Sequence, residues 1–521
     1  MARNVLVGIG GTGARAIEAV LHCCAAGLGP EKLFVFLIDP DEGNGNLSRT
    51  KSLLAAYRKC HQDLRERIND EVSLFRTEIV APEPFVWSIF NKQKQTLAEH
   101  VNYEMLRPKD PDIVDLMELL FSKRELVTPL DEGFRGHPSI GAVAMAGPRM
   151  DAEPWKSFWA EVAECRSREA RVMLVGSIFG GTGAAGVPTF GAAEMLKFRE
   201  KATLSAAAGD SKILLGAALV LPYFAVRAEG ADSGEMYVTS NDFPIATKAA
   251  LEYYDEKDLA FDEIYLVGDS LAPKVGAFSP GSKSQQNRAH YIELVTALAA
   301  FDFYRRPLNP DPLEKQYFAA GRHSSRVDWD ALPVSSEPAL IRDQQSTLKS
   351  RLTTLTAFSY AFLSYGAQIL AASHDSLRSL PWYRENFTFD PRKPDSAAQH
   401  DPRQGASRDT LKETTTCCLR FLQWISEMDE GGVHLVDRTK LWTDETAATV
   451  APHEQHPKSI ATFLKGAPGE RDFNAFVTIL NDVSLGGRNL RPAERMLNLF
   501  YEGARQFCRA NYGQAASKAS V

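Results

Sequence analysis

Short apolar runs punctuate the first half of the chain. They are "NVLV" (Asn4–Val7), "LFVFLID" (Leu33–Asp39), "RVMLVG" (Arg171–Gly176), "KILLGAALVLPYF" (Lys212–Phe224) and "EIYLVGD" (Glu263–Asp269). Apolar runs of this length, bounded by Gly, Pro or Asp, predict buried strands. Between the first two, Ile17, Val20, Leu21 and Cys24 recur at i, i+3, i+4 and i+7, a helix face that Gly27 and Pro30 stop. The opening therefore reads β-loop-α-β, which predicts an α/β fold around a parallel, Rossmann-like sheet flanked by helices. Further helices are predicted at "FPIATKAALEYY" and at a long central segment, 284–304, with Ile292, Val295, Ala299 and Phe303 on one face.

The pattern also divides the chain. Residues 46–124 read as a charged helical insertion, followed by the turn-rich "GFRGHPSIGAVAMAGP" (Gly133–Pro148). Past the proline-punctuated "RRPLNPDPLEKQ" (Arg305–Gln316) the chain reads as a largely helical α+β region. The predicted organisation is a sheet domain over 1–283, a central helix over 284–304 and a C-terminal domain over 305–521. Within the last, 390–409 is polar and Pro-rich and predicts a mobile loop. Uncharged Leu352–Ser373 is long enough to span a bilayer, but its Ser, Thr, Tyr, Gln and Gly content favours a buried core helix over a membrane span.

Composition narrows the classes little. A chain of 521 residues exceeds one core. A net charge of −7 gives no electrostatic case for nucleic-acid binding. Seven cysteines lack a framework spacing, and the adjacent pairs Cys23–Cys24 and Cys417–Cys418 suit neither a local disulfide nor a zinc knuckle. Reduced core thiols are expected. "MARNVLVGIGG" runs straight into a strand, so a cytoplasmic protein without a leader is expected.

The candidate chemistry lies in two glycine loops. "GIGGTGA" places Gly8, Gly10, Gly11, Thr12 and Gly13 after the first strand, and "FGGTGAAGVP" places Gly180, Gly181, Thr182 and Gly183 after a later one. Glycines between a strand and a helix let backbone N–H groups approach an anion, and the helix N-terminus adds partial positive charge. Gly8, Gly10 and Gly13 spell G-x-G-x-x-G, the dinucleotide fingerprint, with Asp39 26 residues past Gly13, beyond the usual ~20. The second loop lacks the Lys-Ser/Thr of a P-loop. Two such loops in one sheet imply one ligand between them.

The run Phe179–Pro188 resembles the G-G-G-T-G-[ST]-G signature of the tubulin/FtsZ superfamily, and "GIGGTGA" resembles that superfamily's first nucleotide loop. The resemblance covers about residues 1–316 and is nearest to the bacterial tubulin-like proteins. It implies a GTP/GDP site with Mg²⁺. On that resemblance "IDPDEGNGN" is the second loop, with Asp39 at its head, and "HPSIGAVAMAG" the third, with Gly141 facing the terminal phosphate. Asn241 would face sugar or phosphate, while Asp269 and Asn287 would read the base. The loop after the central helix would carry Asn309, Asp311 and Glu314 as an N-x-D-x-x-[DE] set acting on the next subunit's nucleotide. Phe179, Ala184, Ala185, Pro310 and Pro312 depart from the pattern.

The resemblance implies a GTP-binding protein that hydrolyses GTP and assembles head to tail. The alternatives are a non-hydrolysing nucleotide-dependent scaffold, docking proteins through the insertion or the C-terminal helices, and a Rossmann dehydrogenase. The last leaves the second loop unexplained. The residues imply no metal cluster of their own.

Overall fold

In the computed structural model the described residues are 3–512, apart from 65–73, 89–94, 132, 135, 147–151, 164–168, 195–211, 228–242, 256–258, 270–273, 278–286, 308–313, 323–325, 330–331, 333–347, 372–379, 388–400, 403, 437–472 and 486–489. The strands among them are β1 (Arg3–Ile9), β2 (Lys32–Ile38), β3 (Glu78–Val80), β4 (Val86–Trp87), β5 (Glu169–Ser177), β6 (Lys212–Val220), β7 (Ala225–Arg227), β8 (Glu263–Val267), β9 (Lys274–Ala277) and β10 (Gln316–Ala320). The main sheet runs β10-β8-β6-β5-β1-β2-β3, with β4 also on β2, and every pairing in it is parallel. β7 and β9 form a separate parallel pair. The α/β parallel sheet read from the apolar runs is thus present.

Strand alternation sends side chains to two cores. Leu6, Val35, Leu37, Val175, Val220 and Val267 face one side, and Val5, Val7, Phe36, Leu174, Leu219 and Ile264 the other. Each is nearly or fully inaccessible to solvent. Burying such a side chain contributes about 1.5–3 kcal/mol, which fixes strand register.

The first face is covered by α1 (Gly10–Ala25), α2 (Gly45–Leu64) and α6 (Tyr291–Arg305), and these are covered in turn by helices from the end of the chain. The second face carries α3 (Pro138–Met145) and the helix Trp155–Ala163. α4 (Thr182–Pro188) follows β5, and α5 (Phe243–Asp255) precedes β8.

The C-terminal stretch contributes α7 (Leu348–Ala371), α8 (Gly405–Glu427), α9 (Phe473–Asp482) and α10 (Pro492–Tyr512). α7 packs on α8 and α10, and α8 packs on α2. The apolar cluster runs unbroken from the strands through α1 and α6 to these helices. The C-terminal helices thus form an outer layer over one sheet face. Leu352–Leu363 of α7 is buried in that layer, and no helix among the described residues is long and apolar enough to cross a membrane.

Four expectations change. The insertion is not wholly helical: β3 and β4 extend the sheet at β2, driven by burial of Ile79 and Val86. The central helix starts at Tyr291 rather than 284, because His290 caps it. The His290 imidazole Nδ1 accepts from the Ile292 N–H, and the Glu293 carboxylate accepts from the His290 N–H. β10 lies past the boundary set at 305 and completes the sheet. α8 begins at Gly405, inside the stretch 390–409 expected to be a loop; 388–400 lie outside the described residues. The six described cysteines are buried and unbridged.

Candidate functional site: two glycine loops at the sheet's switch point

β1 lies between β2 and β5, and the chain leaves β1 and β5 toward opposite edges of the sheet. In open parallel sheets, the crevice outside the carboxyl ends of two such strands is where ligands bind. Both glycine loops open into this crevice. A Cβ added at Gly10 would stand 3.1 Å from Thr182 Cβ and 3.4 Å from the Gly183 nitrogen. Gly10 has φ +72°, a left-handed conformation that glycine adopts at no steric cost. At Gly13 the demand is close approach: a Cβ there would lie 2.5 Å from the Gly8 carbonyl carbon, so α1 sits directly on its own strand.

Two helix N-termini meet at this point. α1 begins at Gly10 and α4 at Thr182; neither has a side-chain cap or an acidic residue in its first turn. Their leading N–H groups have no partner within the helix, and both dipoles favour an anion.

A third wall comes from Gly133–Gly136. A Cβ at Gly181 would lie 3.0 Å from the Gly136 nitrogen and 3.0 Å from Phe134 Cβ. Gly133 and Gly136 both have positive φ, at 89° and 82°. The sequence reading missed these two; their spacing in "GFRG" was the available signal. Gly141, by contrast, does not face the crevice. It lies inside α3, where a Cβ would stand 2.6 Å from Ala185 Cβ, so it serves close packing of α3 on α4. "PSIGAVAM" is a helix, with Pro138 at its start.

Phe179, where the tubulin/FtsZ signature it resembles has glycine, is buried. It packs against Phe224 and Phe243, with ring centroids at 5.5 and 4.8 Å. Ala185 fills the contact with α3. Gly180, Gly181 and Thr182 remain partly accessible at the mouth.

The fourth wall is a polar cluster. Asn44 and Asn46 lie beside Gly11: a Cβ there would be 3.8 and 3.7 Å from their Nδ2 atoms. Asn46 Oδ1 accepts from the Asn287 N–H at 3.0 Å, and Asn46 Nδ2 donates to Asn287 Oδ1 at 3.4 Å. Arg15 joins them. Its Nη1 donates to Asn46 Oδ1 (3.4 Å) and to the Asn287 carbonyl, and its Nε pairs with Glu293 Oε1 at 2.5 Å. Arg15 is 1% exposed. Burial alone would pull its pKa down, but Glu293 and Glu18 hold it above the ordinary arginine value. Thr12 stands beside the buried Tyr223 phenol, whose ring lies on His290 at 4.9 Å.

Asp269 has a different setting from the one expected of a base reader. Its Oδ2 pairs with Arg322 Nη2 at 2.5 Å, both side chains being fully buried, and His290 Nε2 lies 3.6 Å away. Reading a base through that oxygen would expose the Arg322 charge, a cost of several kcal/mol. Asn287 lies in the segment before α6 rather than in the helix's first turn, hydrogen-bonded to Asn46. Glu314 is exposed just before β10; Asn241, Asn309 and Asp311 lie outside the described residues.

Asp39 is buried at the carboxyl end of β2, accepting from the Asp41 N–H at 3.0 Å. Burial, against that bond, pushes its carboxyl up to about 7 from 3.8. The folded state therefore holds a proton that the unfolded state releases between those values, and stability falls as pH rises through the window. Asp39→Asn keeps an acceptor for Asp41. It is expected to stabilise the protein at pH 8 by up to about 4 kcal/mol and to change little at pH 4. Thermal unfolding at the two pH values measures this; an equal shift at both would refute it.

Among the described residues no group of three His, Cys, Asp or Glu gathers as a metal site. A Mg²⁺ held chiefly by phosphates and water needs only one or two carboxylates, and Asp39 and Asp41 stand one loop from Asn44. The backbone N–H groups of the two loops fit a phosphate group, and Asp39 and Asp41 are the carboxylates of the loop after β2. The chain matches no protein-family model, and no curated protein matches it significantly.

Proposed function

We propose that the chain is a nucleotide-binding protein of tubulin/FtsZ type that binds GTP or GDP and hydrolyses GTP between head-to-tail subunits. One observation carries the reading: two uncapped glycine-loop helices, α1 and α4, converge at the switch point of a parallel sheet. A dinucleotide fold uses one such loop; two facing loops suit the phosphate chain of a mononucleotide. Gly10, Gly11, Thr12, Thr182 and Gly183 would hold the phosphates. Bound Mg²⁺ would offset charge on the transferring phosphoryl group. Asn287, with Asn46, would face the base.

The position of Glu314 supports action in trans. It precedes β10, whose first residue pairs with Glu263 at the start of β8, so it lies at the amino ends of the strands. The cradle lies at their carboxyl ends. A 15-residue α6 separates the two poles by about 22 Å. Glu314 therefore cannot reach its own cradle and would serve a neighbour's, orienting water together with Asn309 and Asp311.

Denaturing the purified protein and chromatographing the released small molecules is expected to yield GDP or GTP; release of NAD would select a dehydrogenase instead. GTP turnover per subunit is expected to rise with protein concentration. A rate independent of concentration removes trans catalysis, and bound nucleotide without turnover selects the scaffold reading.

A further inference from the structure

The polar wall of the cradle is tied to a helix more than 100 residues downstream. Glu293 carries the connection. One oxygen pairs with Arg15, and the other accepts from the indole N–H of Trp424 on α8 at 3.1 Å. One turn of α8 further on, Glu427 Oε2 accepts from the Ala289 N–H at 2.8 Å and lies 3.5 Å from Arg49 Nη2. Just past α8, the Gly431 carbonyl accepts from Arg322, the partner of Asp269, at 2.7 Å. The segment 287–293 thus hangs between α1 on one side and the end of α8 on the other.

Arg15 Nη2 is buried and has no hydrogen-bond partner among the described residues, while Nε and Nη1 are engaged. A buried, unspent guanidinium donor among Asn46 and Asn287 suits an acceptor on a ligand. Its direction is set by Glu293, and Glu293 is set by Trp424. This chain of contacts meets the first glycine loop where Asn46 lies beside Gly11, and no contact in it reaches the loop before α4.

We propose that Trp424 and Glu427 are positioning residues for the base side of the nucleotide site, resting on the GTP-binding reading above. Through Glu293 and the backbone at Ala289 they aim Arg15 and hold the Asn46–Asn287 pair, so α8 tunes recognition of the nucleoside while the phosphate cradle stands independently. A partner that displaced the end of α8 would weaken nucleoside binding, and by reciprocal linkage bound nucleoside would weaken that partner's binding by the same factor.

The test compares two probes, GTP and inorganic tripolyphosphate, titrated calorimetrically in Mg²⁺ buffer against the full chain. For Trp424→Phe, which keeps an aromatic ring but removes the indole N–H donor, GTP affinity is expected to fall by roughly tenfold, about the effect of one hydrogen bond. Tripolyphosphate affinity is expected to stay within about twofold, since its contacts lie in the glycine loops. A merely structural role would weaken both probes together. Glu427→Ala, which removes the acceptor for the Ala289 N–H on a side chain about a fifth exposed, is the second variant should Trp424→Phe not fold, with the same expectation. Equal losses for both probes, or no loss for either, overturn the proposal. Wild-type protein that binds neither probe overturns the GTP-binding reading and this proposal with it. Binding of tripolyphosphate alone leaves the cradle standing and overturns the nucleoside assignment.

Discussion

Replacing Gly10 with valine is expected to lower GTP affinity by at least about a hundredfold, the equivalent of losing one or two charge-assisted backbone bonds at ~1.5–3 kcal/mol each. The added side chain starts 3.1 Å from Thr182 and fills the space that the two loops leave between them. It also carries the strain of φ +72°. Gly405→Ala separates the two effects. Gly405 has φ +52° with nothing within 4 Å of a new Cβ, at the start of α8 and far along it from Trp424. That control is expected to cost about 1 kcal/mol of stability and to leave affinity unchanged. Isothermal titration with GTP and urea unfolding of both variants decide the matter. Unchanged affinity in folded Gly10→Val would place the ligand elsewhere.

The two glycine loops were legible in the sequence because their requirements are local. A strand, a glycine that must take positive φ, and a helix start all lie within a dozen residues, as in Val5–Gly13. The order of apolar runs likewise predicts parallel strands, since each is separated from the next by helical sequence. Gly141 shows the limit of that reasoning. A glycine among alanines serves a phosphate loop or a close helix contact equally well, and only Pro138 at the helix start argued for the second.

The polar cluster was not legible. Arg15 meets Glu293 across 278 positions, and Asp269 meets Arg322 across 53, with no periodicity linking either pair. A carboxylate at a strand end looks the same in sequence whether it reads a base or neutralises an arginine. The His290 cap was half visible: Glu293 is an ordinary third residue of a capping box, but histidine is not an ordinary cap. β3 and β4 are three and two residues long and owe their existence to the edge of β2, which no local signal reveals.

Glu293→Gln is expected to destabilise the protein by about 3–5 kcal/mol, the cost of leaving one charge of a buried pair without its partner. Arg15 and Glu293 are 1% and 3% exposed, so water cannot take over the lost interaction. Glutamine also offers one acceptor where Arg15, Trp424 and the His290 N–H all donate to the carboxylate. Buried pairs of this kind seldom exceed an apolar pair in stability. Arg15→Met/Glu293→Leu is therefore expected to recover at least about 2 kcal/mol relative to Glu293→Gln, despite leaving the Trp424 indole N–H and the His290 N–H unpaired. Urea midpoints at constant m-value measure both. The double variant is nevertheless expected to bind GTP as poorly as the single one, because the guanidinium is gone. Stability that returns without affinity would show that the pair is kept for recognition rather than for folding. Stability and affinity returning together would assign Arg15 to the core alone.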